Sequence, residues 1–96
     1  MHTFIEWKNK CQADLSRVGR GCELRSVLLA CLNIADWSNS AKEALEWVNG
    51  EHEMHADIEA AISSDLATPY ILALHEVAAI EGILETDLGR TASVVQ

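Results

Sequence analysis

Apolar residues recur at helical spacing from the start of the chain. Residues 3–6, Thr-Phe-Ile-Glu, have the capping-box pattern of a hydroxyl followed three residues later by a glutamate. The apolar positions that follow form one stripe on a helix: Phe4, Trp7, Cys11, Leu15 and Val18. Glycines 19 and 21 favour a chain reversal after this stripe. The pattern therefore predicts a first helix over about residues 3–18.

The next apolar positions are more closely spaced and predict a second helix over about residues 22–37. They cover more than half of the helix circumference, which is typical of a central, buried helix. These positions are Leu24, Val27, Leu28, Cys31, Leu32 and Ala35.

A third helix is predicted over about residues 41–63, because Ser40 and Glu43 form a second capping-box pattern. Asn49-Gly50 lies in its middle. Gly50 either ends one helix and starts another, or lies inside one long helix at a cost of about 1 kcal/mol relative to alanine. We favour one helix with a possible kink and keep the break as the alternative.

The last helix is predicted over about residues 69–88, because Thr68-Pro69 places proline at the first helical position. Gly89 is the expected end of this helix, and residues 90–96 are expected to form a mobile tail. The predicted core stripe consists of Ala73, Val77, Ile80, Leu84 and Leu88.

Four helical segments with short connections predict a single all-α domain over residues 1–89, either a four-helix bundle or an irregular helical array. The 96 residues include one proline and five glycines, too few for the turns of a β-sandwich or barrel. The longest apolar run, residues 27–32, is far shorter than the roughly 20 residues of a membrane helix. The N-terminus has no signal-peptide pattern. We therefore expect a cytoplasmic protein that does not bind membranes.

The three cysteines show no CxxC spacing, and an odd number does not fit a disulfide scaffold. We expect reduced thiols, with Cys11 and Cys31 as small core residues.

The net charge of −8 is unevenly distributed. Residues 1–25 carry five basic and three acidic residues, a net +2, whereas residues 26–96 carry two basic and twelve acidic residues, a net −10. This balance argues against direct nucleic-acid binding, which needs clustered lysine and arginine. The acidic part is either a solvated face that keeps the protein dispersed or a surface that steers it to a basic partner.

Residues 51–59, Glu-His-Glu-Met-His-Ala-Asp-Ile-Glu, are the most unusual polar stretch. In an unbroken helix, Glu51 and His55 would lie within the apolar stripe. Together with Glu59 and with Glu76 of the last helix they could hold Mg²⁺ or Mn²⁺, which would activate water in a hydrolase. Three alternatives remain: an exposed Glu51–His55 pair, a helix break at Gly50 that turns both residues to solvent, or a stripe that is open to a second subunit.

The composition favours a non-enzymatic protein–protein interaction module, an adaptor or an inhibitor, that presents an acidic face to a partner with a basic surface. No catalytic residue is assigned, and no cofactor is expected apart from the Mg²⁺ or Mn²⁺ of the metal hypothesis. The first alternative is a homodimeric structural protein whose seam includes Ile71 and His75, and the second is the metal-dependent hydrolase or metal-binding bundle. The remaining candidate interaction residues are Glu43, Glu46, Glu53, Asp57 and Trp47.

Overall fold

A computed structural model describes the backbone of residues 3–95 and the side chains of residues 3–83. This part of the chain contains helices and no strand, which confirms the all-α prediction and gives an irregular array rather than a regular bundle. A 3₁₀ turn, Asp65–Ala67, precedes the last helix. The five helices are α1 (Phe4–Leu15), α2 (Glu23–Asp36), α3 (Ala41–Val48), α4 (Ala56–Ile62) and α5 (Thr68–Val95).

Helix α2 lies at the centre, as its apolar pattern predicts. It contacts α1, α3, α4 and the 3₁₀ turn. Six of its residues are buried: Val27, Leu28, Ala30, Cys31, Ile34 and Ala35. Burial of so many aliphatic side chains on one helix makes α2 the main contributor of apolar surface to the core.

The two capping boxes begin α1 and α3 as the sequence predicts. Thr3 Oγ1 accepts a hydrogen bond from the Glu6 backbone N–H at 3.1 Å, and Ser40 Oγ accepts one from the Glu43 N–H at 3.2 Å. The Glu43 carboxylate in turn accepts from the Asn39 N–H at 3.1 Å. Each cap satisfies a backbone donor that has no partner within its helix.

The predicted third helix is broken at Gly50, so the preference for one long helix is wrong. Gly50 has φ +84°, in the left-handed region that favours glycine. Its N–H donates to the Trp47 carbonyl at 3.2 Å, and the Glu51 N–H donates to the Glu46 carbonyl at 3.0 Å. These two bonds form a Schellman motif, which ends α3 and satisfies carbonyls that a simple helix end would leave free.

The break sends the two halves of the predicted helix to different partners. Helix α3 packs against α5, whereas α4 packs against α2. Buried Leu45 and Ile62 anchor α3 and α4, respectively, in the core. A single straight helix could not make both contacts, which is the packing reason for the turn.

Two other boundaries differ from the prediction. Helix α1 ends at Leu15, three residues before the predicted end at Val18. Helix α5 continues past Gly89 to Val95. The expected end at Gly89 is therefore wrong, and the mobility predicted for residues 90–96 stays a prediction. The core roles predicted for Leu84 and Leu88 concern side chains outside the described part and also stay predictions.

The stretch Asp65–Ile83 is long and apolar enough to cross a membrane by length and composition alone. A core helix of a soluble protein can be equally long and apolar, but such a helix is mostly buried. Only a small part of this stretch is buried. Leu74 and Val77, on the inner side of the helix, belong to the core.

Candidate functional site

Four carboxylates gather around the Gly50 turn. Glu46 and Glu51 line a depression of about 380 Å³ between α3 and α5, to which Lys42 and Glu81 also contribute. Glu51, Glu53 and Glu59 line a second depression of about 390 Å³ on the connection to α4. Glu51 belongs to both, so the two depressions adjoin. We call the surface formed by Glu46, Glu51, Glu53 and Glu59 the acidic turn surface.

The carboxylates of the acidic turn surface form no ion pair with lysine or arginine among the described side chains. By contrast, Lys8 Nζ lies 2.8 Å from Asp36 Oδ1, and Lys10 Nζ lies 3.1 Å from Asp14 Oδ1. The lysines of α1 are therefore paired, whereas Glu51, Glu53 and Glu59 are exposed to solvent or to a partner.

Three rings contact one another in series beside this surface, each pair tilted, and we call them the aromatic stack: Trp37, Trp47 and His52. The ring centroids of Trp37 and Trp47 are 4.8 Å apart, and those of Trp47 and His52 are 4.6 Å apart. His52 Nε2 lies 3.9 Å from Glu46 Oε1, which joins the stack to the acidic turn surface. Trp47 is half-buried in the middle, whereas Trp37 is 44% exposed.

The four predicted metal-binding residues do not form one site. Glu51 and Glu59 line the same depression, but His55 and Glu76 are not among the residues that line it. His55 is exposed and caps α4, with its Nδ1 accepting from the Asp57 N–H at 3.2 Å. Glu76 is exposed on α5. No group of three or more His, Cys, Asp or Glu side chains within residues 3–83 is arranged to hold a metal ion.

The predicted interaction residues differ in how accessible they are. Glu46 and Glu53 belong to the acidic turn surface. Asp57 is exposed at the start of α4 and lines a separate groove between α2 and α4. Glu43 is half-buried, and its carboxylate is used in capping α3. Trp47 is accessible only in part, because it lies between the other two rings of the aromatic stack.

The large apolar residues exposed on α5 are not those of the predicted seam. His75 is exposed as expected, but Ile71 packs against the core and is half-buried. Leu72 and Ile83 instead present large apolar side chains to solvent, at 58% and 61% exposure.

A second polar cluster, the α1–α5 network, ties the first helix to the last. The indole Nε1–H of Trp7 donates to the Tyr70 carbonyl at 2.9 Å, and the Tyr70 hydroxyl donates to Asp14 Oδ2 at 2.7 Å. Lys10 completes the network through its bond to Asp14. A groove of about 430 Å³ lies beside it, with apolar walls that include Leu24, Leu66, Pro69 and Ala73.

The network shifts the pKa values of its titratable groups. The hydrogen bond from Tyr70, assisted by Lys10, holds the pKa of Asp14 below its ordinary value. Burial and the bond to Asp14 raise the pKa of Tyr70. Tyr70 and Asp14 thus satisfy each other, which is the behaviour of a structural contact rather than of an acid–base pair that awaits a substrate.

Cys11 and Cys31 are buried in the core, as predicted, on facing sides of α1 and α2. A hydrogen bond to Cys31 and burial both raise the pKa of the Cys11 thiol. A raised pKa disfavours the thiolate, the nucleophilic form of cysteine.

Sequence patterns identify only part of these two clusters. The charge imbalance indicates the acidic turn surface, but the exposure of Trp37 depends on how its ring rests on Trp47. The α1–α5 network joins residues 56 and 63 positions apart, and no local pattern indicates such a contact.

Comparison with known proteins identifies no relative: no family model matches the chain, and neither a curated protein nor a solved structure matches it significantly.

Proposed function

We propose that this protein is a non-enzymatic interaction module, an adaptor or an inhibitor, that binds a basic segment of a partner protein on the acidic turn surface. The observation that carries the proposal is the set of carboxylates in two adjoining depressions, without a lysine or arginine ion-pair partner among the described side chains. Carboxylates outnumber Lys42 among the described residues that line these depressions. An excess of one charge in a concave surface raises the local concentration of an oppositely charged partner and speeds its association. The proposed compartment is the cytoplasm, where buried thiols such as Cys11 and Cys31 stay reduced.

The geometry gives less support to a hydrolase. A metal site in a helical bundle uses carboxylates and imidazoles that project towards one another from facing helices. Here the Nδ1 lone pair of His55 caps α4, and Glu76 is exposed on α5. The groups with shifted pKa values are bonded to each other: Asp14 to Tyr70 in the α1–α5 network, and Cys11 to Cys31 in the core.

The test compares two double charge reversals with the same change in net charge. Glu51→Lys/Glu53→Lys alters the acidic turn surface, whereas Asp65→Lys/Glu76→Lys alters exposed carboxylates elsewhere. Binding of a short lysine- and arginine-rich peptide is measured by fluorescence anisotropy. We expect the first variant to weaken binding roughly tenfold or more and the second by about twofold, because a specific site depends on local charge and not only on net charge.

Equal weakening by the two variants would mean that only net charge attracts the peptide, and the proposal would be wrong. Circular dichroism of both variants checks that the fold is kept, since substitutions of exposed residues typically change stability by less than about 0.5 kcal/mol.

A second candidate function, a homodimeric structural protein, is favoured by the exposed Leu72 and Ile83 on α5. Large exposed apolar side chains on one helix face can pack against a second copy. Light scattering is expected to give a dimer mass that Leu72→Glu/Ile83→Glu reduces to a monomer mass. Ile5→Glu, at another exposed apolar residue, serves as the control and should leave the mass unchanged. A monomeric wild-type protein, or one that partitions into lipid vesicles through α5, would contradict this candidate.

A further inference from the structure

The aromatic stack presents one exposed indole on a packed support. Trp37 follows the last residue of α2 as its C-cap, and its ring contacts Trp47 at an interplanar angle of 45°. Trp47 in turn contacts His52 at 42°. A tryptophan held from behind by other rings loses little conformational entropy when a ligand covers its free side, which is why such residues are common binding hot spots.

An exposed carboxylate adjoins this indole in the chain. Asp36 precedes it with a carboxylate that is 62% exposed, although Lys8 pairs with that carboxylate. Glu46 lies at the far end of the stack, beside His52. Neither α2 nor α3 has a basic residue of its own in its last turn, although Lys8 of α1 reaches the end of α2 through its ion pair with Asp36.

We propose that Trp37 is the platform on which the acidic turn surface receives an arginine side chain of the basic partner. A guanidinium group is planar and weakly hydrated, so it stacks on an indole while its N–H groups remain directed at carboxylates. A lysine ammonium is a compact, strongly hydrated charge that uses such a flat surface less well. The partner is therefore a protein segment that contains arginine, and the recognised chemistry is the guanidinium group.

This inference rests on the proposed function, and it adds Trp37 and a preference for arginine over lysine. The probes are two short peptides that differ only in their basic residue, one of alternating glycine and arginine and one of alternating glycine and lysine. Binding is followed by the indole N–H signals in two-dimensional ¹H–¹⁵N NMR spectra of the full chain. Trp7 provides an internal control, because its indole is buried and its N–H is bonded to the Tyr70 carbonyl.

We expect the arginine peptide to shift the Trp37 indole signal and to leave the Trp7 signal in place. It should bind roughly two- to fivefold more tightly than the lysine peptide, as expected of a cation–π contact at an exposed site. Trp37→Leu, which keeps an apolar side chain without the π-face, should remove this preference. Ile5→Leu, at an exposed apolar residue on α1, should keep it.

Equal affinity for the two peptides, or a preference that survives Trp37→Leu, would overturn the inference. If Glu51→Lys/Glu53→Lys still weakened binding more than its control pair in that case, the proposed function would stand without the arginine platform. If neither peptide bound, both proposals would be wrong.

Discussion

The α1–α5 network and the acidic turn surface are both polar, yet their side chains are used in opposite ways. In the network, the Trp7 indole, the Tyr70 hydroxyl and the Asp14 carboxylate all have partners within 3 Å. Around Gly50, Glu51 and Glu53 are exposed and form no ion pair with a lysine or arginine of residues 3–83. The same kinds of group thus hold the fold together in one region and remain available in the other.

This difference shows how to separate structural from functional polar residues when no relative is at hand. A group that is buried or half-buried and satisfied contributes to stability, and its removal leaves a partner without a bond. An exposed carboxylate contributes little to stability, because solvent screens its interactions. Substitutions in the network should therefore act on the free energy of unfolding, and substitutions on the acidic turn surface should act on binding.

The largest effect is expected from removing a tryptophan from the network. Trp7 is 1% exposed, so Trp7→Ala leaves a cavity in the core and removes the hydrogen bond to the Tyr70 carbonyl. We expect a loss of about 3–5 kcal/mol in the free energy of unfolding, measured by urea denaturation.

The matched control is Trp37→Ala, which removes the same side chain from the aromatic stack. Because Trp37 is 44% exposed, its loss should cost much less, about 1 kcal/mol. Similar losses for the two variants would show that the aromatic stack is as structural as the network, and the distinction between the two regions would fail.

A smaller effect is expected when only the hydroxyl of the network is removed. Tyr70→Phe keeps the ring but deletes the hydrogen bond to Asp14 Oδ2. A hydrogen bond to a charged acceptor is worth roughly 1–2 kcal/mol at a partly buried site. A double-mutant cycle with Asp14→Asn isolates the coupling between the two side chains, and additive losses would mean that the bond contributes nothing.

The contribution of this hydrogen bond should depend on pH at both extremes. The pKa of Tyr70 is raised above 10.0, so its stabilisation is complete below that pH and is lost as the pH rises through the raised pKa. The pKa of Asp14 is lowered from 3.8, so its stabilisation is present above that pH and is lost as the pH falls through the lowered pKa. The difference in unfolding free energy between wild type and Tyr70→Phe should be constant in between and shrink outside this window. If this difference in unfolding free energy stayed the same in strongly alkaline solution, the Tyr70–Asp14 hydrogen bond would not be its source.

The smallest effect is expected at the backbone of the turn. Gly50→Ala should cost about 1 kcal/mol, because φ is +84° and an added Cβ meets no other atom within 4 Å, which leaves backbone strain as the source. Gly19→Ala is the control, since Gly19 has equal space around its Cα and no positive φ. It should be neutral or slightly stabilising in thermal melts. A neutral Gly50→Ala would mean that the turn does not depend on the left-handed conformation.

The sequence predicts most of the helices because their signals are local. Thr3 and Ser40 cap the helices they are expected to cap, and the dense apolar pattern of α2 corresponds to its central position. Gly50 shows the limit of local signals. Asn-Gly is compatible with a turn or with a helix that tolerates glycine, and the outcome is decided by packing, since α3 packs mainly against α5 and α4 mainly against α2.

The candidate site is predictable only as a charge imbalance. The acidic residues are evident in the sequence, but the turn that groups Glu51 with both Glu46 and Glu59 depends on the break at Gly50. The contact of Trp37 with Trp47 joins the C-cap of α2 to a side chain of α3 and depends on the tertiary fold. The metal hypothesis misplaces Glu51 and His55 for the same reason, because it assumes a continuous helix.

The bond from the Trp7 indole to the Tyr70 carbonyl also sets an order of events during synthesis. Helices α1 and α2 can form a hairpin as soon as residue 36 has left the ribosome, with Cys11 against Cys31. The indole N–H of Trp7 obtains its acceptor, the Tyr70 carbonyl, only after residue 70 has been synthesised. A long interval between the two leaves a large aromatic side chain uncovered on the nascent chain, and such surfaces are prone to aggregation. The core can therefore close only after translation has reached the first turn of α5.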